Sequence, residues 1–254
     1  DGDEIMQTLN TVGGLILSLA VLTGCGSESP EPVNIKGTVL AYDGDPENSE
    51  PVERVQVCQL DQPTTRNCDT TDANGEFELE LPGDIEATLT LVKEGFGSTL
   101  VSNVTDSDVI TTGVIFIPTE AWLNDFAAAL GIEFPECEEG EFVCENAIAL
   151  ITTRDGLSRE DEPIAGVSYE LLEGEGEPYY LDDNAIPDTS LDETQASGVG
   201  GFFNMPEIGK THEVRIDGAG DNCGPAAGWP GKDRNTVRFP VLDKFVTQVT
   251  VVCD

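Results

Sequence analysis

Apolar and polar residues alternate in short runs over much of the chain. Between residues 33 and 118 these runs are Val33 to Tyr42, Val55 to Leu60, Glu76 to Leu81, Ala87 to Lys93 and Val109 to Ile117. A period near two, broken by turn residues, predicts strands with one face on a core. Asp43 and Gly44 end the first run, and Pro51 to Val55 opens the second. Thr71-Asp72-Ala73-Asn74-Gly75 then makes a turn before Phe77, Leu79 and Leu81, whose spacing points all three inward. Strands of this length and spacing predict an all-β sandwich.

The pattern returns further along. Asp155 and Gly156 end a run from Ala147 to Thr153, and Pro163 to Val167 opens the next. Asp43 stands as far from Pro51 as Asp155 does from Pro163, so the spacing predicts a duplicated domain. Phe202, Phe203 and Met205 precede Pro206 as Phe77 to Leu81 precede Pro82. Thr194 to Gly201 stands in for the Thr-Asp turn, with Gln195 replacing the Asp, and Glu213 to Ile216 corresponds to Thr88 to Leu91. The extra length lies between Glu173 and Glu193, rich in Gly, Pro and acids, and such a stretch is expected to be a surface loop. Between the copies, Thr119 can cap a helix on which Trp122, Leu123, Phe126 and Leu130 recur at helical spacing before Gly131 stops it. A packed connector is the expectation, ahead of a partner-binding amphipathic helix.

From Val12 to Leu22 the residues are apolar or small almost throughout, and the run ends in Leu22-Thr23-Gly24-Cys25 before turning polar. A bilayer span needs about 20 apolar residues, so this run is short for one. It resembles the lipobox of bacterial lipoprotein signals. That resemblance implies cleavage before Cys25, lipidation of its thiol and, because Gly26 rather than Asp follows, an outer-membrane destination. Each buried methylene of the anchor contributes about 0.8 kcal/mol, so two or three acyl chains would hold firmly. Asp1, Asp3 and Glu4 precede the run and no Lys or Arg comes before Lys36, which makes Met6 the expected start. The organisation then reads as a signal segment (1–25), a tether (26–32), a first sandwich (33–118), a helical connector (119–145) and a second, divergent sandwich (146–254). The fold class expected is all-β: two tandem Greek-key-type β-sandwich domains joined by a short helical, disulfide-stapled connector.

Seven cysteines are present, an odd number that lipidation of Cys25 would explain. The other six fall into local couples, Cys58 with Cys68, Cys137 with Cys144, and Cys223 with Cys253, which predicts disulfides and an oxidising compartment. Zinc is disfavoured, because no two cysteines have ligand spacing and the single histidine, His212, lacks a cysteine partner.

Residues 33 to 118 closely resemble the carboxypeptidase regulatory-like domain. The likeness rests on Gly37 in the first strand, the Pro51-x-x-x-Val55 strand, and the Thr71-Asp72-x-x-Gly75-x-Phe77 turn. It implies a transthyretin-like sandwich and carries no peptidase activity with it, since no His-x-x-Glu pair exists to hold zinc.

Charge narrows the partners. Asp and Glu total 49 against 12 Lys and Arg, a formal net charge of -37. Such a surface repels polyanions, so no nucleic acid partner is expected, and contact with a membrane should run through the lipid anchor alone. His212 offers the only imidazole base, with no nucleophile motif beside it, and is read as a surface residue. Asp182, Asp183, Asp188 and Asp192 follow no calcium-loop spacing and are read as a solvated loop. Gly198, Gly200 and Gly201 lack the helix and Lys of a phosphate loop and are read as turn glycines. No catalytic residue, metal or cofactor is expected.

Two functions remain. One is a non-enzymatic envelope lipoprotein displaying its modules to a protein or glycan partner, with Tyr179, Tyr180 and Trp229 as contact candidates and core packing the equal alternative for each. The other is a structural spacer, or a self-assembling surface subunit, without a specific ligand.

Overall fold

A computed structural model describes residues 31–44, 49–60, 67–106, 109–132, 147–156, 161–206, 209–218, 220, 222–243 and 245–253. The signal segment with Cys25, nearly all of the tether, and the Cys137 and Cys144 couple lie outside the described residues.

The chain is an all-β protein with one helix among the described residues. In the first half, β1 (Pro32–Tyr42) lies between β4 (Glu76–Pro82), antiparallel, and β7 (Val109–Pro118), parallel. Facing this sheet are β2 (Gln56–Gln59), β3 (Cys68–Thr70), β5 (Glu86–Val92) and β6 (Thr99–Val104), in the order β6-β5-β2-β3. Ile35, Val39, Val57, Leu89 and Leu91 fill the space between the sheets together with Phe77, Leu79 and Leu81, which do point inward as their spacing predicts.

The second half repeats this plan. Strand β8 (Ala147–Arg154) lies between β12 (Val199–Met205), antiparallel, and β17 (Val246–Cys253), parallel. The facing sheet contains β9 (Ser168–Glu173), β13 (Thr211–Asp217), β15 (Trp229–Pro230) and β16 (Thr236–Pro240), in the order β15-β16-β13-β9. Strands β10 (Glu177–Leu181) and β11 (Pro187–Asp188) extend the first of these sheets beyond β12, and β14 (Cys223–Ala227) flanks β17.

Hydrogen bonds show how closely the copies match. The Val39 amide donates to the Gly75 carbonyl (2.8 Å) and the Val52 amide to the Val39 carbonyl (3.0 Å). Their counterparts are Thr153 to Gly198 (2.9 Å) and Ile164 to Thr153 (2.9 Å). At the centre of each copy sits a buried threonine. The Thr71 hydroxyl donates to the Val52 carbonyl and accepts from the Val55 amide, while the Thr194 hydroxyl donates to the Ile164 carbonyl and accepts from the Val167 amide. Gly75 (φ 75°) and Gly198 (φ 63°) close the following turns, and a Cβ would come within 2.4 Å of the Val39 oxygen in one and 2.6 Å of the Thr153 oxygen in the other. Only glycine fits such a site.

One landmark is corrected. Ala41 pairs with Glu50 as Asp155 pairs with Glu162, so Asp155 matches Ala41 and not Asp43. The first copy carries a longer connection between its strand and Pro51, and the equal Asp-to-Pro spacing is not the structural correspondence.

Two disulfides join directly opposed strand residues: Cys58 on β2 with Cys68 on β3, and Cys223 on β14 with Cys253 on β17.

Candidate functional site at the junction of the two sandwiches

The two copies share a sheet. Val246, Thr247 and Gln248 of β17 pair in parallel with Thr99, Leu100 and Val101 of β6. One continuous ladder therefore runs β11-β10-β12-β8-β17-β6-β5-β2-β3 across both halves.

Helix α1 (Glu120–Leu130) fills the angle beside this seam. Thr119 caps it by accepting from the Trp122 amide (3.2 Å), and Gly131 ends it in the left-handed conformation, as the sequence predicts. Trp122, Leu123, Phe126 and Ala127 form its buried face. Trp122 meets Tyr42 of the first sandwich edge-on at 5.0 Å, and Phe126 meets Tyr179 of the second at 4.9 Å. Tyr42, Leu123, Phe126, Ile148, Tyr179, Leu181, Phe203 and Val246 thereby form one apolar cluster drawn from both halves. Helix α1 is thus a packed connector, the reading that its spacing favours.

Tyr179 and Tyr180 are buried, 0% and 2% exposed, on a strand where a surface loop was expected. The reason lies opposite them. Tyr179 pairs with Gly201 and Tyr180 with Gly200 on β12, and a Cβ on Gly200 would come within 2.6 Å of the Tyr180 ring. Gly200 and Gly201 are therefore strand residues, the first leaving room for the Tyr180 ring and the second for the Ala149 carbonyl, and not turn glycines; Gly198 alone of the three closes a turn. The Tyr179 hydroxyl donates to the Ala149 carbonyl (3.1 Å), and burial pushes its pKa well up. Tyr180 accepts from the Tyr169 amide (2.9 Å), and the two rings stack at 5.6 Å.

Trp229 is also interior, at 9% exposure. Its indole Nε1 donates to the Ala87 carbonyl of the first sandwich (3.3 Å), and Arg238 lies over the ring while pairing with Glu86 across the seam. The neighbouring Gly228 amide donates to the Ser102 carbonyl (2.7 Å). All three contact candidates are thus spent on packing inside or between the sandwiches. His212 is likewise not a surface residue: it is 1% exposed and stacks on Phe239, because β13 is flanked on both edges by β16 and β9.

A cleft of about 700 Å³ opens at the junction, with Tyr42, Phe116, Arg154, Glu162, Asp183 and Gln248 among its walls. Its acids are partly committed to the backbone. Asp182 accepts from the Ile186 and Asn184 amides, which hold its carboxyl below the usual range, and outside the cleft Asp188 is lowered by the Ser190 hydroxyl and by the Ser190 amide, from which it accepts. These are turn-forming carboxylates. Among the described residues no three His, Cys, Asp or Glu side chains converge to hold a metal ion.

Sequence reasoning missed one buried carboxylate. Glu213, 2% exposed, accepts from the Lys232 amide (2.7 Å) and the Thr236 hydroxyl (2.7 Å), with the Lys232 ammonium at 3.7 Å. Burial on its own would raise the carboxyl; the hydrogen bonds and the ammonium outweigh it and hold the pKa below the ordinary value. A lowered folded pKa stabilises above the unfolded value of about 4.3 and ceases to do so as pH falls through the folded value. The stability advantage of the native chain over Glu213→Gln should therefore shrink on acidification from about pH 6 to about pH 3. Urea titrations of both proteins over that range check this, and parallel curves would remove the carboxylate from the account.

No protein-family model matches the chain, and no curated protein sequence does. Solved structures with which it shares some likeness include the shaft pilin SpaA of Lactobacillus rhamnosus GG, at 9% identity and a TM-score of 0.27, covering 88% of this chain and 98% of that one. The minor pilin GBS52 of Streptococcus agalactiae aligns at 14% identity and a TM-score of 0.24, covering 87% and 97%. The Bacillus anthracis TIE protein aligns at 10% identity and a TM-score of 0.26; the match covers 87% of this chain and 34% of that protein. Likenesses at these TM-scores carry no functional weight, and the reading below rests on the chain's own residues.

Proposed function

We propose that this chain is a non-enzymatic structural module of the cell envelope, a stiff spacer of two carboxypeptidase regulatory-like sandwiches moored through a lipidated Cys25. The observation that carries this reading is where the large side chains go. Tyr179, Trp229 and Trp122 are used to join the sandwiches and Tyr180 to fill the core of the second, and among the described residues only Val92 and Ile186 are exposed large hydrophobics. A display module would keep such anchors at its surface. Two disulfides favour an oxidising compartment, and the lipobox-like stretch ending at Cys25 favours anchoring.

Self-assembly through the β4 edge is disfavoured. The free edge of β4 carries Glu76, Glu78 and Glu80, all exposed, and the Glu78 amide is already taken by the Asp69 carboxylate (2.7 Å). Charge and a blocked donor on an edge oppose the docking of a second strand.

Two measurements test the reading. Residual dipolar couplings of the soluble protein should fit one alignment tensor for both sandwiches; separate tensors would refute a stiff spacer. Labelled palmitate fed to an expressing bacterium should enter the native chain and not Cys25→Ser. Native protein recovered from the cytosol, unacylated and with reduced thiols, would refute the envelope assignment.

A further inference from the structure

We propose that the module is built to bear tension along the chain, a role that rests on the spacer reading and adds a mechanical task to it. In the first sandwich β1 and β7 run side by side and parallel, with pairings from Asn34 with Val109 to Tyr42 with Pro118. In the second, β8 and β17 do the same, from Ile148 with Val246 to Arg154 with Val252. The chain thus enters each sandwich at one end of a parallel pair and leaves at the other. Tension slides the two strands past each other, so every rung of the ladder bears load together. An antiparallel pair pulled from its shared end parts one rung at a time, and each rung is individually weak.

Three of the four loaded strands are also held on both edges, β7 being the edge of its sheet, and β8 has β12 beside it. β1 has β4 on its other side. β17 has β6 against Val246 to Gln248 and β14 against Thr250 to Cys253. At the last residue of β17 the Cys223–Cys253 disulfide passes load covalently to β14 and closes a segment with a sequence separation of 30. That segment cannot lengthen while the bond is intact.

Single-molecule pulling of the full chain tests this by changing direction alone. Handles at Glu31 and Asp254 load both parallel pairs lengthwise, whereas handles at Glu31 and Glu80 part β1 from β4 from their shared end. The same folded molecule should resist the first direction with several-fold more force. Equal rupture forces in the two directions would overturn the proposal, whatever the outcome of the anchoring and alignment measurements. Reduction should lengthen the unfolding step of the second sandwich by about 100 Å, the extended reach of the segment released between Cys223 and Cys253. A step of unchanged length would overturn the part given to the disulfide.

Discussion

Replacing Phe126 with alanine should lower stability by about 3–5 kcal/mol, the usual cost of emptying a fully buried aromatic site. The ring is 1% exposed and touches Trp122 at 5.1 Å and Tyr179 at 4.9 Å, so the hole would open between two aromatic neighbours with little freedom to collapse. Its position makes the effect more than local. The cluster draws on Tyr42 from one sandwich and Tyr179, Leu181 and Phe203 from the other, so loosening it should uncouple their unfolding. The native chain is expected to unfold in one transition in urea, followed by tryptophan fluorescence and far-ultraviolet circular dichroism, and Phe126→Ala in two. A loss under about 1 kcal/mol with a single transition would mean that helix α1 is not what joins the halves.

Thr71→Val and Thr194→Val form the second prediction, and its force lies in their equality. Each substitution keeps the side-chain shape but deletes a hydroxyl that both donates and accepts in the interior. One carbonyl and one amide are then left without that partner, at about 1–3 kcal/mol for each group that is buried and unsatisfied. A cost of about 2–4 kcal/mol is expected at either position. Because the two hydroxyls serve different sandwiches, the double variant should lose the sum of the single losses. Serine at the same positions should recover most of the stability. A costly Thr194→Val beside a neutral Thr71→Val would break the correspondence between the copies.

Much of the frame is legible in the sequence where local rules govern. Strands β1, β4, β5 and β7 follow from alternation, and helix α1 from Thr119, the spacing of Trp122 to Leu130, and Gly131. The duplication is legible through Pro51 with Pro163 and through the turn of Thr71 to Gly75 with Thr194 to Gly201, while the exact partners, Gly75 and Gly198, emerge only from the close backbone approach that each glycine permits. The junction is not legible in this way. Gly174, Gly176, Pro178 and the surrounding acids make residues 173 to 193 look like a loop, and only the pairing of Tyr179 and Tyr180 with Gly201 and Gly200 turns part of it into a buried strand. The pairing of β17 with β6 depends on how two folded halves meet, which no window of sequence contains. His212 and Glu213 are similar cases: polar residues on a central strand are buried by neighbours brought in from elsewhere in the chain.

The interior place of β17 has a consequence for how the molecule reaches its folded state. This strand completes the parallel ladder of the second sandwich, supplies the seam with β6, and holds the partner of Cys223. Every one of those contacts is distant in sequence, so ring closure is slow and comes late. A chain short of Val246 to Cys253 would leave β8 with a bare edge and Cys223 without a mate, a sticky intermediate open to wrong pairings. A single late closure is what such a plan requires, the keystone being added after the rest of the arch.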